Sequence, residues 1–222
     1  MFLRTRIRNG LRLSIFLSIL WFPVYSSHFV GGEISYTTAG NGVYNVTLTM
    51  YKDCGSSSIG YPTFISLSMK DAISGSTLSS ATLSPGSEIS IPNSFTAACV
   101  SNVPSFCVSK KYYTGTLTYT GTISNGFIFT YSDCCRNSSI SNINSPGSAS
   151  ITYRTYTTPS GTSIANSTPV FNLPPTIVAS NIQTNTSFSA TDSDGDSLYY
   201  ELTNALDNSL TTSVNYVTGL SG

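Results

Sequence analysis

Residues 43–51 read VYNVTLTMY, and this alternating stretch decides the fold class of the chain. In an extended backbone Val46, Leu48 and Met50 project to one face, while the intervening polar side chains project to the other. A strand of this kind is packed on one side and solvated on the other. Six further segments alternate in a similar way, namely 34–38, 64–70, 113–121, 126–133, 150–157 and 198–202.

Short clusters of glycine, asparagine, proline and serine separate the alternating segments. They lie at 39–42 (AGNG), 55–62 (GSSSIGYP), 84–88 (SPGSE), 124–126 (SNG) and 144–148 (NSPGS). These residues favour turns, and no helix of convincing length is predicted. Short strands with a turn about every ten residues predict an all-β fold of antiparallel strands, arranged as a β-sandwich or a barrel, and we expect the β-sandwich.

The composition argues against one class of partner. Only 9% of the 222 residues are charged, whereas 40 are serine and 29 are threonine, so neutral hydroxyl groups keep the surface wet. Four of the ten basic residues lie within the first dozen positions, and none follows Arg154. Nucleic-acid binding depends on Lys and Arg that neutralise phosphates, so we expect no nucleic-acid partner.

The first 27 residues have the order of regions found in a secretory signal peptide. An arginine-rich start is followed by the apolar run LRLSIFLSILWFPV and by the small residues of VYSS. The alternative, an uncleaved anchor, needs roughly 20 apolar residues, and the run is shorter. We therefore expect an exported or cell-surface protein without a transmembrane span after cleavage, in which His28 lies at or next to the new N-terminus.

A domain boundary is predicted where two adjacent prolines, within NSTPVFNLPPTIVAS, follow a loop rich in Ser, Thr and Gly. Residues 28–166 then form a disulfide-containing β-sandwich. Residues 167–222 hold too few strands to close a second sandwich. We expect them to form a partial β module, or to pack on the first domain.

Export makes disulfides the expected state of the five cysteines, Cys54, Cys99, Cys107, Cys134 and Cys135. Cys99 and Cys107 bracket a segment that suits a turn, which predicts a local bridge. The adjacent Cys134 and Cys135 would point to opposite faces of a strand, so that Cys54 could reach at most one of them. One thiol is left over, and the spacing is unlike that of a metal site.

The strongest chemical signal is the acidic loop DSDGD, in which Asp192, Asp194 and Asp196 alternate around Gly195. Closely spaced carboxylates repel one another unless they are solvated or share a cation. Ca²⁺ takes six to eight oxygen ligands and suits such a loop. We expect a calcium site here, completed by Glu201 or by carbonyl groups; the alternative is a solvated turn.

Nothing in the chain assembles an enzyme active site, so we expect a non-enzymatic protein. A Ser-His-Asp triad or a nucleophilic cysteine would need His28, which is the sole histidine. A hydrolase that uses His28 and Glu33, or a transition metal held by this pair, is a weaker alternative. Trp21 and Tyr25 leave with the signal peptide, yet the other 13 of the 14 tyrosines offer a second hypothesis, a glycan-binding module with a Tyr-lined surface.

Several motifs carry a family resemblance: SHFVGGEISY, NVTLTMYKDC, CVSNVPSFCV, YSDCCRNSSISNI, STPVFNLPP and ATDSDGDSLYYEL. With them the chain resembles the N-terminal region of exported surface proteins of gliding Bacteroidetes, which carry PKD-like or cadherin-like repeats and a gliding-motility-type C-terminal sorting domain. The resemblance implies a secreted β-rich head of the immunoglobulin, PKD or cadherin kind, followed by a cadherin-like module. In that module Asp192, Asp194 and Asp196 match a calcium loop.

The chain departs from these proteins in two respects. They usually have a cysteine just after the tyrosine of GGEISY, whereas Thr37 and Thr38 follow Tyr36 here. That difference offers a reason for the odd number of cysteines. The sorting domain is also missing, so we expect a truncated chain or a short relative. The resemblance names no ligand, and the expected role is adhesin-like or structural, with a surface protein or polysaccharide as partner.

Overall fold

The computed structural model describes residues 29–53, 60–92, 107–121, 124–157, 166–172, 185 and 187–219. The predicted signal peptide and His28 lie outside the described residues. The strands of the described part are β1 (Phe29–Gly40), β2 (Val43–Asp53), β3 (Ile65–Asp71), β4 (Thr77–Ile91), β5 (Val108–Thr118), β6 (Phe127–Asp133), β7 (Ile151–Tyr156), β8 (Val170–Phe171) and β9 (Ala190–Thr191).

Seven strands form one antiparallel sheet in the order β1-β2-β5-β4-β3-β6-β7, and β8 pairs with β9. β4 is long enough to serve two partners. Its first part pairs with β3, and the part from Ser84 onward pairs with β5. β4 therefore passes from a layer that contains β3, β6 and β7 to a layer that contains β1, β2 and β5. Because β7 lies beside β1, the sheet nearly closes on itself. The prediction of an all-β, antiparallel, sandwich-like fold is confirmed.

Helical structure is limited, within the described ranges, to one 3₁₀ turn at Pro146–Ser148. No helix in the part of the chain that is described is both long and apolar enough to cross a membrane.

The core lies between the two layers, and β2 supplies its centre. Val46, Leu48 and Met50 are each 1% exposed or less, as the alternation predicted. Full burial of such a side chain stabilises the fold by about 1.5–3 kcal/mol. The opposite layer contributes apolar and aromatic side chains, among them Leu67, Met69, Phe127, Phe129 and Tyr153. The rings of Tyr44 and Phe127 meet edge to face at 4.9 Å, a favoured geometry for aromatic pairs.

Gly32 is required where β7 closes against β1. A Cβ atom at Gly32 would lie 2.5 Å from the Thr49 carbonyl oxygen and 2.7 Å from Cε1 of Tyr153. The Tyr153 hydroxyl donates to the Gly31 carbonyl at 3.3 Å. The neighbouring Gly31 has open space around its own Cβ position. Gly32 therefore leaves space for the Tyr153 ring to pack on β1, whereas a Cβ atom at Gly31 would contact no neighbouring residue.

Six of the seven predicted strands lie in β1, β2, β3, β5, β6 and β7, but the prediction for 198–202 is wrong. Those residues form no strand. Tyr199 is 87% exposed and Leu202 is 90% exposed, so alternation there reflects no buried face. The Tyr200 hydroxyl instead accepts a hydrogen bond from the Ala190 N–H at 3.0 Å, which ties this stretch to β9.

The predicted turn at 84–88 is also wrong, since β4 runs through it with a register shift between Pro85 and Glu88. Pro85 has no N–H to donate, and proline is tolerated in a strand where one side is unpaired. That condition holds here, because β3 ceases to pair with β4 at Leu83. A sequence cannot reveal which side of a strand lacks a partner.

Parts of the chain beyond residue 166 hydrogen-bond to the sandwich. The Thr168 N–H donates to the Tyr36 carbonyl at 3.0 Å, and the Tyr36 N–H donates to the Thr168 hydroxyl at 2.8 Å. Farther along, the Ser150 N–H donates to Asp207 Oδ1 at 2.8 Å. A small second cluster of Ile143, Ala149 and Val214 buries apolar surface between these parts. The boundary at 166 and a separate module at 167–222 stay predictions.

The sulfur atoms of Cys134 and Cys135 are bonded to each other, across a cis peptide bond. This pairing differs from the expectation that the two side chains point to opposite faces, because the segment after Asp133 has left the strand. Cys107 is also disulfide-bonded. Cys54 and Cys99 lie outside the described residues, and so does the predicted bridge between Cys99 and Cys107.

Candidate functional site

The acidic loop is organised by its own backbone. Asp192 Oδ1 accepts the N–H of Asp194 at 2.9 Å and the N–H of Asp196 at 3.1 Å. Gly195 has a φ of 84°, a left-handed conformation that glycine adopts without steric cost. The first carboxylate of the predicted calcium loop therefore closes an Asx turn.

The third residue of this loop fastens it to the sandwich. Asp194 Oδ2 accepts the backbone N–H of Ser167 at 2.6 Å. Ser167 is buried and precedes Thr168, which pairs with Tyr36 of β1. The loop is thereby linked to the sheet through a charge-assisted hydrogen bond, the stronger kind.

The carboxylates of Asp192 and Asp194 act as hydrogen-bond acceptors for backbone N–H groups in this structure. Within the described ranges, no group of three or more His, Cys, Asp or Glu side chains is arranged to hold a metal. One oxygen of Asp192 already accepts two N–H groups, and Asp194 turns an oxygen toward Ser167. Glu201 is exposed on a stretch without regular structure. Calcium binding by Asp192, Asp194, Asp196 and Glu201 stays a prediction.

A second feature is a groove on the outer face of the sheet, beneath β8. The strand register places Glu33, Thr49 and Tyr112 in one row across β1, β2 and β5. The next row contains Tyr51, Lys110 and Ile89 on β2, β5 and β4. Val170, Phe171 and Asn172 cover these rows and leave a cavity of ≈ 360 Å³.

The electrostatics of this outer groove centre on Glu33. Burial raises the pKa of the Glu33 carboxyl, although the Phe171 N–H and the Lys110 ammonium act in the opposite direction. The Phe171 N–H donates to Glu33 Oε2 at 3.3 Å. Burial likewise raises the pKa of Tyr51 to about 12, with contributions from Glu33 and Tyr112. The floor is therefore partly dehydrated, and polar contacts made there are stronger than in water.

A neighbouring cavity of ≈ 430 Å³ lies where β1 and β7 meet. Its lining includes Tyr153, Arg154 and residues 203–206, and it shares Glu33 and Phe171 with the outer groove. The Arg154 guanidinium donates to the Leu210 carbonyl. That hydrogen bond engages the cation of this cavity and links Leu210 to β7.

The sequence predicted only some of the residues that line the outer groove. A Tyr-lined surface was predicted, and the structure places Tyr51 and Tyr112 at the same groove. Lys110 and Phe171 were missed; the alternation in KKYYTG could have placed Lys110 and Tyr112 on one face. The pairing of His28 with Glu33 falls partly outside the described residues, so neither the weaker metal pair nor the hydrolase is tested.

A scan against protein-family models finds no match to the chain, and comparisons with curated proteins and with solved structures find no similar protein either.

Proposed function

We propose that this protein is a non-enzymatic, exported or cell-surface β-sandwich module with an adhesin-like, structural role. The observation that carries the proposal is the hydrogen bond from the Ser167 N–H to Asp194 at 2.6 Å. It fastens the acidic loop to the segment that pairs with β1, so that sandwich and loop offer one continuous surface. The resemblance to exported surface proteins of gliding Bacteroidetes supports the same role.

Calcium belongs to this proposal as a separately testable part. A cation would replace the two N–H groups as the partner of Asp192 and would neutralise the carboxylates of Asp194 and Asp196. The melting temperature of residues 28–222 should then rise in millimolar Ca²⁺ relative to chelator. Ca²⁺ at 100-fold excess over its dissociation constant stabilises by about 2.7 kcal/mol.

Replacement of Asp194 with Asn separates the two roles of this residue. The amide oxygen of Asn can still accept the Ser167 N–H, whereas its loss of charge weakens a calcium site. A calcium-dependent rise that disappears in Asp194→Asn supports the metal site. An equal melting temperature with Ca²⁺ and with chelator contradicts it, and leaves the loop as a hydrogen-bonded clasp.

Glycan binding is the second candidate function, with a polysaccharide as partner. The observation that favours it is the outer groove, where Tyr51, Tyr112 and Phe171 surround a carboxylate and an ammonium group. Aromatic side chains with a polar end suit ligands that have both apolar and hydroxyl faces. Retardation of the protein in native gels that contain a soluble polysaccharide would support this function.

A further inference from the structure

The outer groove has the size of a small-ligand site. Its volume of ≈ 360 Å³ lies near the lower end of the range of about 300–1,000 Å³ typical of such sites. The described residues that line it come from four strands of the sheet and from β8 with its flank. It is therefore suited to one or two rings of a small molecule, and is too small for a folded partner.

The floor of the outer groove offers hydrogen bonds that the chain itself does not fill. The environment of the Tyr51 hydroxyl consists of burial and the charges of Glu33 and Tyr112, without a hydrogen bond from any described residue. Tyr51 is 9% exposed, so most of its side chain is buried while its hydroxyl lies at the floor of the outer groove. The Phe171 N–H occupies Oε2 of Glu33, and a carboxylate can accept further hydrogen bonds at its other oxygen.

The charges around the outer groove favour a neutral ligand. The Glu33 carboxylate and the Lys110 ammonium lie on adjoining rows of the same face and carry opposite signs. The Lys110 ammonium also lies 5.0 Å from the centre of the Tyr112 ring, a cation–π distance. Glu33 would repel an anionic ligand, and Lys110 would repel a cationic ligand. A polyhydroxyl compound can instead donate to the carboxylate and accept from the ammonium.

The walls of the outer groove supply apolar surface next to these polar groups. Phe171 is 49% exposed and Ile89 is 43% exposed, and Tyr112 lines the outer groove with them. A pyranose ring has hydroxyl groups at its rim and C–H groups on its faces, which suits aromatic walls around a polar floor. We infer that the outer groove, with Glu33, Tyr51, Lys110 and Tyr112, binds one neutral pyranose unit of a glycan.

This inference rests on the glycan-binding proposal and adds the site and the ligand class. The experiment is affinity electrophoresis of the folded chain 28–222 in native gels that contain a neutral galactomannan, a neutral β-glucan or anionic alginate. Tyr51→Phe removes one hydroxyl, and Glu33→Gln removes one charge while it keeps an acceptor for Phe171. Tyr199→Phe is the matched control, because Tyr199 is 87% exposed and is not among the residues that line the outer groove.

We expect retardation of the wild type by a neutral polysaccharide, with affinity lowered roughly 3- to 10-fold in Tyr51→Phe and roughly 10-fold or more in Glu33→Gln. Tyr199→Phe should behave as the wild type does. A single cooperative thermal unfolding transition in each variant would show that the two groove variants still fold.

Three results would overturn the inference, and they have different meanings. Equal retardation of the wild type and both groove variants would move the site elsewhere and leave glycan binding intact. Retardation by alginate alone would refute the neutral ligand. Absence of retardation in all three gels would count against glycan binding itself as well as against the groove.

Discussion

Replacing Gly32 with alanine tests how β7 closes the sandwich against β1. The added carbon would lie 2.5 Å from the Thr49 carbonyl oxygen and 2.7 Å from Cε1 of Tyr153. A carbon atom and a carbonyl oxygen ordinarily come no closer than about 3.3 Å, so a shift of roughly 0.8 Å is needed. Thr49 cannot yield easily, because it is paired with Glu33 on one side and with Tyr112 on the other.

The cost follows from this crowding. Overpacking of a well-packed interior costs about 1–3 kcal/mol. For a chain of this length each kcal/mol lowers the melting temperature by roughly 2–4 °C. We therefore expect Gly32→Ala to lower the free energy of unfolding by about 1–3 kcal/mol and the melting temperature by roughly 2–12 °C.

Gly31→Ala is the matched control, because no atom lies within 4 Å of its Cβ position. Its stability should be unchanged, or higher by up to about 1 kcal/mol since alanine restricts the unfolded chain. Thermal unfolding of both variants by circular dichroism and calorimetry measures the difference. If Gly32→Ala melts at or above the temperature of Gly31→Ala, the proposed packing of Tyr153 on Gly32 is refuted.

Two further predictions concern the acidic loop and the outer groove. Asp194→Ala should lower the free energy of unfolding by about 1 kcal/mol in denaturant titrations, because the Ser167 N–H loses its acceptor. An equal loss in Asp196→Ala would contradict a specific stabilising role of the hydrogen bond between Ser167 and Asp194. Burial raises the pKa of Glu33 above its ordinary 4.5, because the buried site favours the protonated, neutral carboxyl. The stability that this preference contributes is full below pH 4.5 and is lost as the pH rises through the raised pKa. Between about pH 4 and pH 7 the melting temperature of Glu33→Gln should therefore fall less than that of the wild type, whereas parallel curves would show that Glu33 is not dehydrated.

The parts of the fold that the sequence predicted are those governed by local periodicity. Val46, Leu48 and Met50 were assigned to one buried face because successive side chains of any strand alternate. The same rule failed at 198–202, where Tyr199 and Leu202 alternate with other residues but meet no partner strand. It also missed the middle of β4, where Pro85 is tolerated because β3 no longer pairs at that point.

The candidate sites were predictable to a smaller extent. Spacing alone identified Asp192, Asp194 and Asp196 as a group, because closely spaced carboxylates repel one another unless they are solvated or share a cation. It could not show that Asp194 reaches the Ser167 N–H, which lies 27 positions earlier. Such a contact depends on where two distant segments come to lie along β1.

The sequence by itself determined that this protein is built from antiparallel strands with polar outer and apolar inner faces, because strand periodicity and turn chemistry are local properties. Only the tertiary structure decided which strands are neighbours, and hence that Glu33, Tyr51 and Lys110 share one groove beneath Phe171. Register across three strands sets that grouping. The register arises from contacts between segments that are far apart in the chain, so it cannot be read from any one segment.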